Sequence, residues 1–143
     1  MRTFVTVIFL FLALTTQASS IKPFTSDGCS LFPNGSLEDR NKWLPCCIEH
    51  DLAYWQGGTE EQRKEADNKL KHCVAAAGEK QISEIMHFGV TIGGDAIYPI
   101  WYRWGYGWPY ERGYGSLSKE EQTQVKDRLI ELKALIDETI ETL

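Results

Sequence analysis

Four cysteines, Cys29, Cys46, Cys47 and Cys73, lie before residue 74 of a 143-residue chain, and they constrain its fold more than any other feature. Their chemistry depends on the compartment. Arg2 precedes an apolar run from Phe4 to Leu14, which Thr15, Thr16 and Gln17 break before the small residues Ala18, Ser19 and Ser20. This order reads as a secretory signal peptide over residues 1–20, because the run falls short of the roughly 20 residues of a membrane-spanning helix. The expected location is therefore secreted: extracellular, or periplasmic in a bacterium. In an exported chain an even cysteine count favours two disulfides over a zinc cluster or free thiols. Pairing Cys46 with Cys47 would close a strained ring between neighbours, whose side chains on a helix diverge by about 100°. Each then takes Cys29 or Cys73, which leaves two connectivities open.

Residues 21–143 read as one domain, with 43% hydrophobic and 24% charged residues in the chain. Fifteen Lys and Arg against 20 Asp and Glu exclude a basic nucleic-acid footprint. They also argue against charge-driven adhesion to an anionic membrane, while leaving apolar or aromatic insertion open. From Ile21 to Trp43 the chain is rich in turn formers, and Asn34-Gly35-Ser36 is either a turn or, in a eukaryotic pathway, a glycosylation acceptor. Pro45 suits the first position of a helix through Cys46, Cys47, His50, Asp51 and Tyr54, stopped by Gly57-Gly58. Thr59 and Gln62 form a capping box for a second helix, on which Ala66, Leu70, Cys73 and Ala77 recur at helical spacing up to Gly78. The short turn between the two predicts an antiparallel pair. A third helix is expected from Ile82 to about Val90, and a fourth opens at the capping box Ser118 and Glu121 with Val125, Leu129, Leu132 and Ile136 on one stripe. The fold class is thus mainly α, a small disulfide-linked domain around an antiparallel pair of central helices.

Polar chemistry concentrates in Cys46-Cys47-Ile48-Glu49-His50-Asp51-Leu52-Ala53-Tyr54. On a helix Tyr54 falls one turn from His50. A histidine that titrates near neutrality can take a proton from water when a carboxylate fixes its tautomer and a cation stabilises the oxyanion that forms. Asp51 can give one charge to a hard cation such as calcium, with loop carbonyls as further ligands. Asp67, on the facing helix, can orient the histidine. Alone, a His-Asp pair on a helix is as readily a packed or surface histidine.

Read as a whole, Cys-Cys-x-x-His-Asp-x-x-Tyr, followed by Asp67 and six residues later by Cys73, resembles the secreted phospholipase A2 family over about 45 residues from Asp27 to Cys73. The resemblance implies a phospholipase A2-like fold and calcium-dependent hydrolysis of a glycerophospholipid ester, with a phospholipid membrane surface or lipid aggregate as substrate. It assigns His50 as general base, Asp51 as calcium ligand, and Asp67 with Tyr54 as the groups that hold the histidine. It also implies the pairs Cys29–Cys47 and Cys46–Cys73. By the match at Cys29, the carbonyls of Gly28, Ser30 and Phe32 would complete the calcium site, and the Ser30 amide would face the oxyanion. Leu31, Phe32 and Pro33 stand where the family has a glycine-rich run, which predicts weak calcium binding. The resemblance stops at Gly78.

His72 and His87 read as surface or packed histidines. The segment from Tyr98 to Tyr114 interleaves aromatic rings with glycines, and reads as a loop packed over the helix pair or as a lipid-contact surface. A non-catalytic secreted binding protein on the same scaffold is the alternative to an enzyme. No oligomeric state follows from the sequence.

Overall fold

The computed structural model describes residues 20–143; the segment read as a signal peptide, apart from Ser20, lies outside the described residues. Among these residues the chain forms four α-helices: α1 (Leu44–Gln56), α2 (Glu60–Ala76), α3 (Lys80–Gly93) and α4 (Lys119–Glu141). A single 3-10 turn, Tyr110–Arg112, precedes α4, and no strand is present among the described residues. None of these helices is long and apolar enough to cross a membrane.

The sequence starts α1 one residue late. Trp43 caps the helix, Leu44 is its first residue and Pro45 its second. The first-turn amide that proline lacks would have no helical partner in either position, so both are tolerated. Trp43 fixes this end, its indole N–H donating to the Pro33 carbonyl at 2.6 Å. At α2 both halves of the Thr59–Gln62 capping box form. Helix α3 extends beyond the expected Ile82–Val90 at both ends. Its first turn is polar, so it carries no apolar period, and it is held by the Ser83 amide on the Glu79 carbonyl at 2.9 Å.

Helices α1 and α2 run in opposite directions. Cys46 at the start of α1 is bonded to Cys73 near the end of α2, and Tyr54 on the last turn of α1 meets Asp67 in mid-α2. The second disulfide, Cys29–Cys47, ties the loop before α1 to its first turn. Around both bridges Trp43, Leu70, Val74 and Met86 form one apolar cluster. A second cluster joins Ile21, Trp55, Trp108 and Val125, and a third gathers Tyr54, Ala66, Ala96 and Trp104. The aromatic segment therefore divides. Trp104 and Trp108 are buried and donate their indole N–H groups to the carbonyls of Gly58 and Gln56, capping the α1–α2 turn. Trp101 and Tyr98 stay exposed. Arg103 is buried among this segment's own carbonyls, donating to Trp104, Gly105 and Trp108. The Ser118–Glu121 box opens α4 as its sequence requires, but only the first half of the α4 stripe is covered: Val125 is buried and Leu129 packs beside it, whereas Ile136 is exposed.

Candidate active site

Helix α1 presents His50 and Asp51 on neighbouring faces, and both are buried. His50 Nε2 lies 3.0 Å from Asp67 Oδ1. An ionised carboxylate only accepts, so this contact places the ring proton on Nε2 and leaves Nδ1 with a free lone pair. The Tyr54 hydroxyl donates to the same Asp67 oxygen at 2.6 Å, and its ring lies against the His50 ring with centroids 4.2 Å apart. Burial, reinforced by the Asp67 charge, raises the Tyr54 hydroxyl's pKa, so it remains a donor. Tyr54 therefore steadies Asp67 directly and His50 through it.

Arg63, one turn before Asp67 on α2, donates to Asp67 Oδ2 at 3.3 Å and reaches the Val90 carbonyl on α3 at 3.4 Å. Both oxygens of Asp67, itself 2% exposed, are thereby engaged. The sequence reading missed Arg63, although its i,i+4 spacing to Asp67 was a signal that could have found it.

Asp51 points to the loop before α1. Its Oδ2 accepts a 2.6 Å hydrogen bond from Ser26, a contact across 25 residues that no local pattern announces. Burial pushes the Asp51 carboxyl up to about 6 against the opposing effects of Ser26 and His50, and the nearby Asp27 charge adds to the rise. The loop bends sharply. Gly28 has φ +77°, and a Cβ there would come within 2.4 Å of Asn34 Oδ1. That same Asn34 oxygen accepts the Cys29 amide at 2.9 Å, so the Asn34 side chain holds the loop. Ser30 and Leu31 also have positive φ, which is strained for residues with a side chain.

Gly28, Ser30 and Phe32 line one cavity together with His50, Asp51 and Tyr54. Its volume is about 350 Å³, and its far wall is the α3 face of Ile85, Met86, Phe88 and Val90. The loop and α1 were expected at the site; the contribution of α3 was not. Among the described residues no cluster of three or more His, Cys, Asp or Glu side chains could hold a metal. A metal here would therefore take most of its ligands from main-chain oxygens. The donor chemistry is that of a hard-cation site on those terms: Asp51 is a buried carboxylate only partly compensated by Ser26 and His50, and Gly28, Ser30 and Phe32 of the loop line the same cavity. His72 is exposed and His87 half-buried, and neither lines this cavity.

Compared with known proteins, the chain matches no family, no curated protein and no solved structure. Its chemistry rests on the site alone.

Proposed function

We propose that this protein hydrolyses a glycerophospholipid ester in a calcium-dependent, phospholipase A2-like reaction. The observation that carries the reading is the buried His50–Asp67–Tyr54 network opening onto an apolar cavity beside Asp51. Nδ1 of His50 takes a proton from a water as that water's oxygen attacks the ester carbonyl; Asp67 stabilises the imidazolium that results. The proton then passes to the departing alkoxide, releasing a fatty acid and a lysophospholipid. Asp51 and the loop carbonyls of Gly28, Ser30 and Phe32 would hold calcium, which supplies positive charge opposite the developing oxyanion. Leu31, Ile85 and Phe88 line the cavity and are all more than half exposed, so its mouth is apolar, as an acyl chain entering from a lipid aggregate requires. Exposed Trp101 stands beside this loop, its indole N–H 3.4 Å from Asp27 Oδ2, and suits contact with a lipid surface.

The test is release of fatty acid and lysophospholipid from mixed vesicles, with calcium and with chelator. His50→Gln keeps a group that can donate to Asp67 yet cannot take up a proton, so activity falls by about 10²-fold to 10⁴-fold in a folded variant. Unchanged hydrolysis in that variant removes His50 from the mechanism. The Ser26 bond that already occupies Asp51 Oδ2 favours a second reading, a secreted lipid-binding protein with a calcium-free site. Vesicle binding with neither hydrolysis nor a calcium response would decide for it.

A further inference from the structure

The surroundings of the cavity carry unpaired charge of one sign. Apart from α1 and Leu70, the cavity is built from two segments: residues 26–37, with Gly28, Ser30 and Phe32, and residues 81–102, with the α3 wall and Tyr102. Neither segment contains a lysine or an arginine, and nor does α1. The lysines that flank Leu70 are both paired, Lys69 with Glu65 and Lys71 with Glu84. Of the remaining charged groups in the two segments, His87 is half-buried on α3 and Asp95 accepts the Ile97 amide at 3.0 Å. Asp27 is exposed, and its partners are a hydroxyl and an indole N–H rather than a cation.

An aromatic surface adjoins this uncompensated carboxylate. Trp101 is 66% exposed, and its indole N–H lies 3.4 Å from Asp27 Oδ2, a contact that joins the two segments across 74 residues. The Ser30 hydroxyl donates to Asp27 Oδ1 at 2.7 Å and so holds the carboxylate beside the ring. The Tyr102 ring stands at right angles to that of Trp101, with centroids 5.1 Å apart, and Tyr102 itself lines the cavity. An indole face attracts a cation through its quadrupole, and a carboxylate at the N–H edge of the same ring adds a full negative charge nearby. No protein cation fills this position, so the complementary charge comes from a ligand. The headgroups of phosphatidylcholine and phosphatidylethanolamine supply it, as an ammonium two carbons from the phosphate, together with acyl chains for the apolar wall. An anionic headgroup would instead bring like charge to Asp27.

We propose that Asp27 and Trp101 form a subsite for the ammonium group of a zwitterionic phospholipid and set a preference for such lipids over anionic ones. This rests on the reading of the cavity as a phospholipid site, but binding alone displays it, with or without hydrolysis.

Flotation of the purified, disulfide-bonded protein with vesicles of diether phosphatidylcholine or diether phosphatidylglycerol, whose ether links resist hydrolysis, tests it in millimolar calcium. The wild type should bind phosphatidylcholine more tightly. Asp27→Asn keeps an oxygen for the Ser30 and Trp101 donors but loses the charge, and Trp101→Leu keeps an apolar group but loses the π face. Each should weaken binding to phosphatidylcholine by about three- to tenfold and leave phosphatidylglycerol binding unchanged or stronger. Phosphocholine alone should bind roughly a hundredfold more weakly than the vesicles, because it offers nothing to the apolar wall. Equal binding of phosphocholine would make this a site for a soluble ammonium compound and overturn the proposal. So would a wild type that binds both lipids equally or neither, or variants that lose both lipids to the same degree. Rates on ester-linked vesicles keep the two readings apart: hydrolysis with no choice between headgroups removes the subsite and leaves the enzyme, whereas headgroup choice in binding without hydrolysis supports the subsite and removes the enzyme.

Discussion

Asp51 is a cavity carboxyl whose ionisation the fold opposes, because burial lifts it from 3.8 to about 6. Between those values the folded protein keeps a proton that the unfolded chain has released, so stability falls as pH rises through that window and then levels off. Two pH units correspond to at most about 3 kcal/mol, and partial access to water reduces this. In chelator at pH 7, Asp51→Asn is therefore expected to be more stable than the wild type by about 1–3 kcal/mol. It keeps an oxygen to accept from Ser26 and removes the buried charge. The difference should vanish only below about pH 3, under the 3.8 of the unfolded carboxyl, where Asp51 is protonated in both states. Thermal melts of the two proteins from about pH 3 to pH 8 make the comparison, and a variant that is less stable at pH 7 would mean that the ionised carboxylate is already compensated. Calcium offers the other route to compensation, so it should raise the melting temperature of the wild type but not of Asp51→Asn.

At the level of elements, α3 acts on the site through its C-terminus. A Cβ on Gly94 would stand 2.2 Å from the Tyr54 hydroxyl and 2.7 Å from the Val90 carbonyl, and the Gly94 carbonyl accepts the Trp104 amide at 2.8 Å. Helix α3, Tyr54 and the aromatic segment thus meet at one residue with no spare volume. Gly94→Ala should cost about 1–3 kcal/mol of overpacking and push Tyr54 off Asp67. Denaturant melts should show that loss, and vesicle hydrolysis should fall with it; an unaffected protein would mean the contact relaxes freely. Sequence alone gave no access to this junction, since it depends on residues 40 positions apart. What it did reveal was local. Both capping boxes lie three residues apart, and His50 and Tyr54 are four apart on a helix that proline and glycine delimit, so short-range geometry sufficed. Asp67 was legible because the short α1–α2 turn forces the facing helix back past His50. The Ser26–Asp51 bond, the α3 wall of the cavity and the division of the aromatic segment into buried and exposed rings arise from tertiary packing, which spacing rules do not encode.

Across the whole molecule, α1 contributes to all three apolar clusters: Cys46 and Cys47 to the first, Trp55 to the second and Tyr54 to the third. Both disulfides fasten its first turn, yet they hold different parts of the site. Cys29–Cys47 closes 18 residues and fixes the loop against α1; Cys46–Cys73 closes 27 residues and fixes α1 against α2. Loop-entropy reasoning gives each about 3 kcal/mol, since the cost grows only logarithmically with loop length. Replacing either pair by alanines should therefore lower stability about equally, while the functional consequences separate. Without Cys29–Cys47 the Gly28–Phe32 loop loses its covalent tie to the helix that carries Asp51. The calcium-induced rise in melting temperature should then disappear in Cys29→Ala with Cys47→Ala, but persist in Cys46→Ala with Cys73→Ala, where the loop stays attached to the helix that carries Asp51. Peptide mapping of the unreduced wild type must first return these two pairs. Thermal melts of both double variants with and without millimolar calcium then decide the matter, and equal calcium responses would place the cation away from the Cys29 loop.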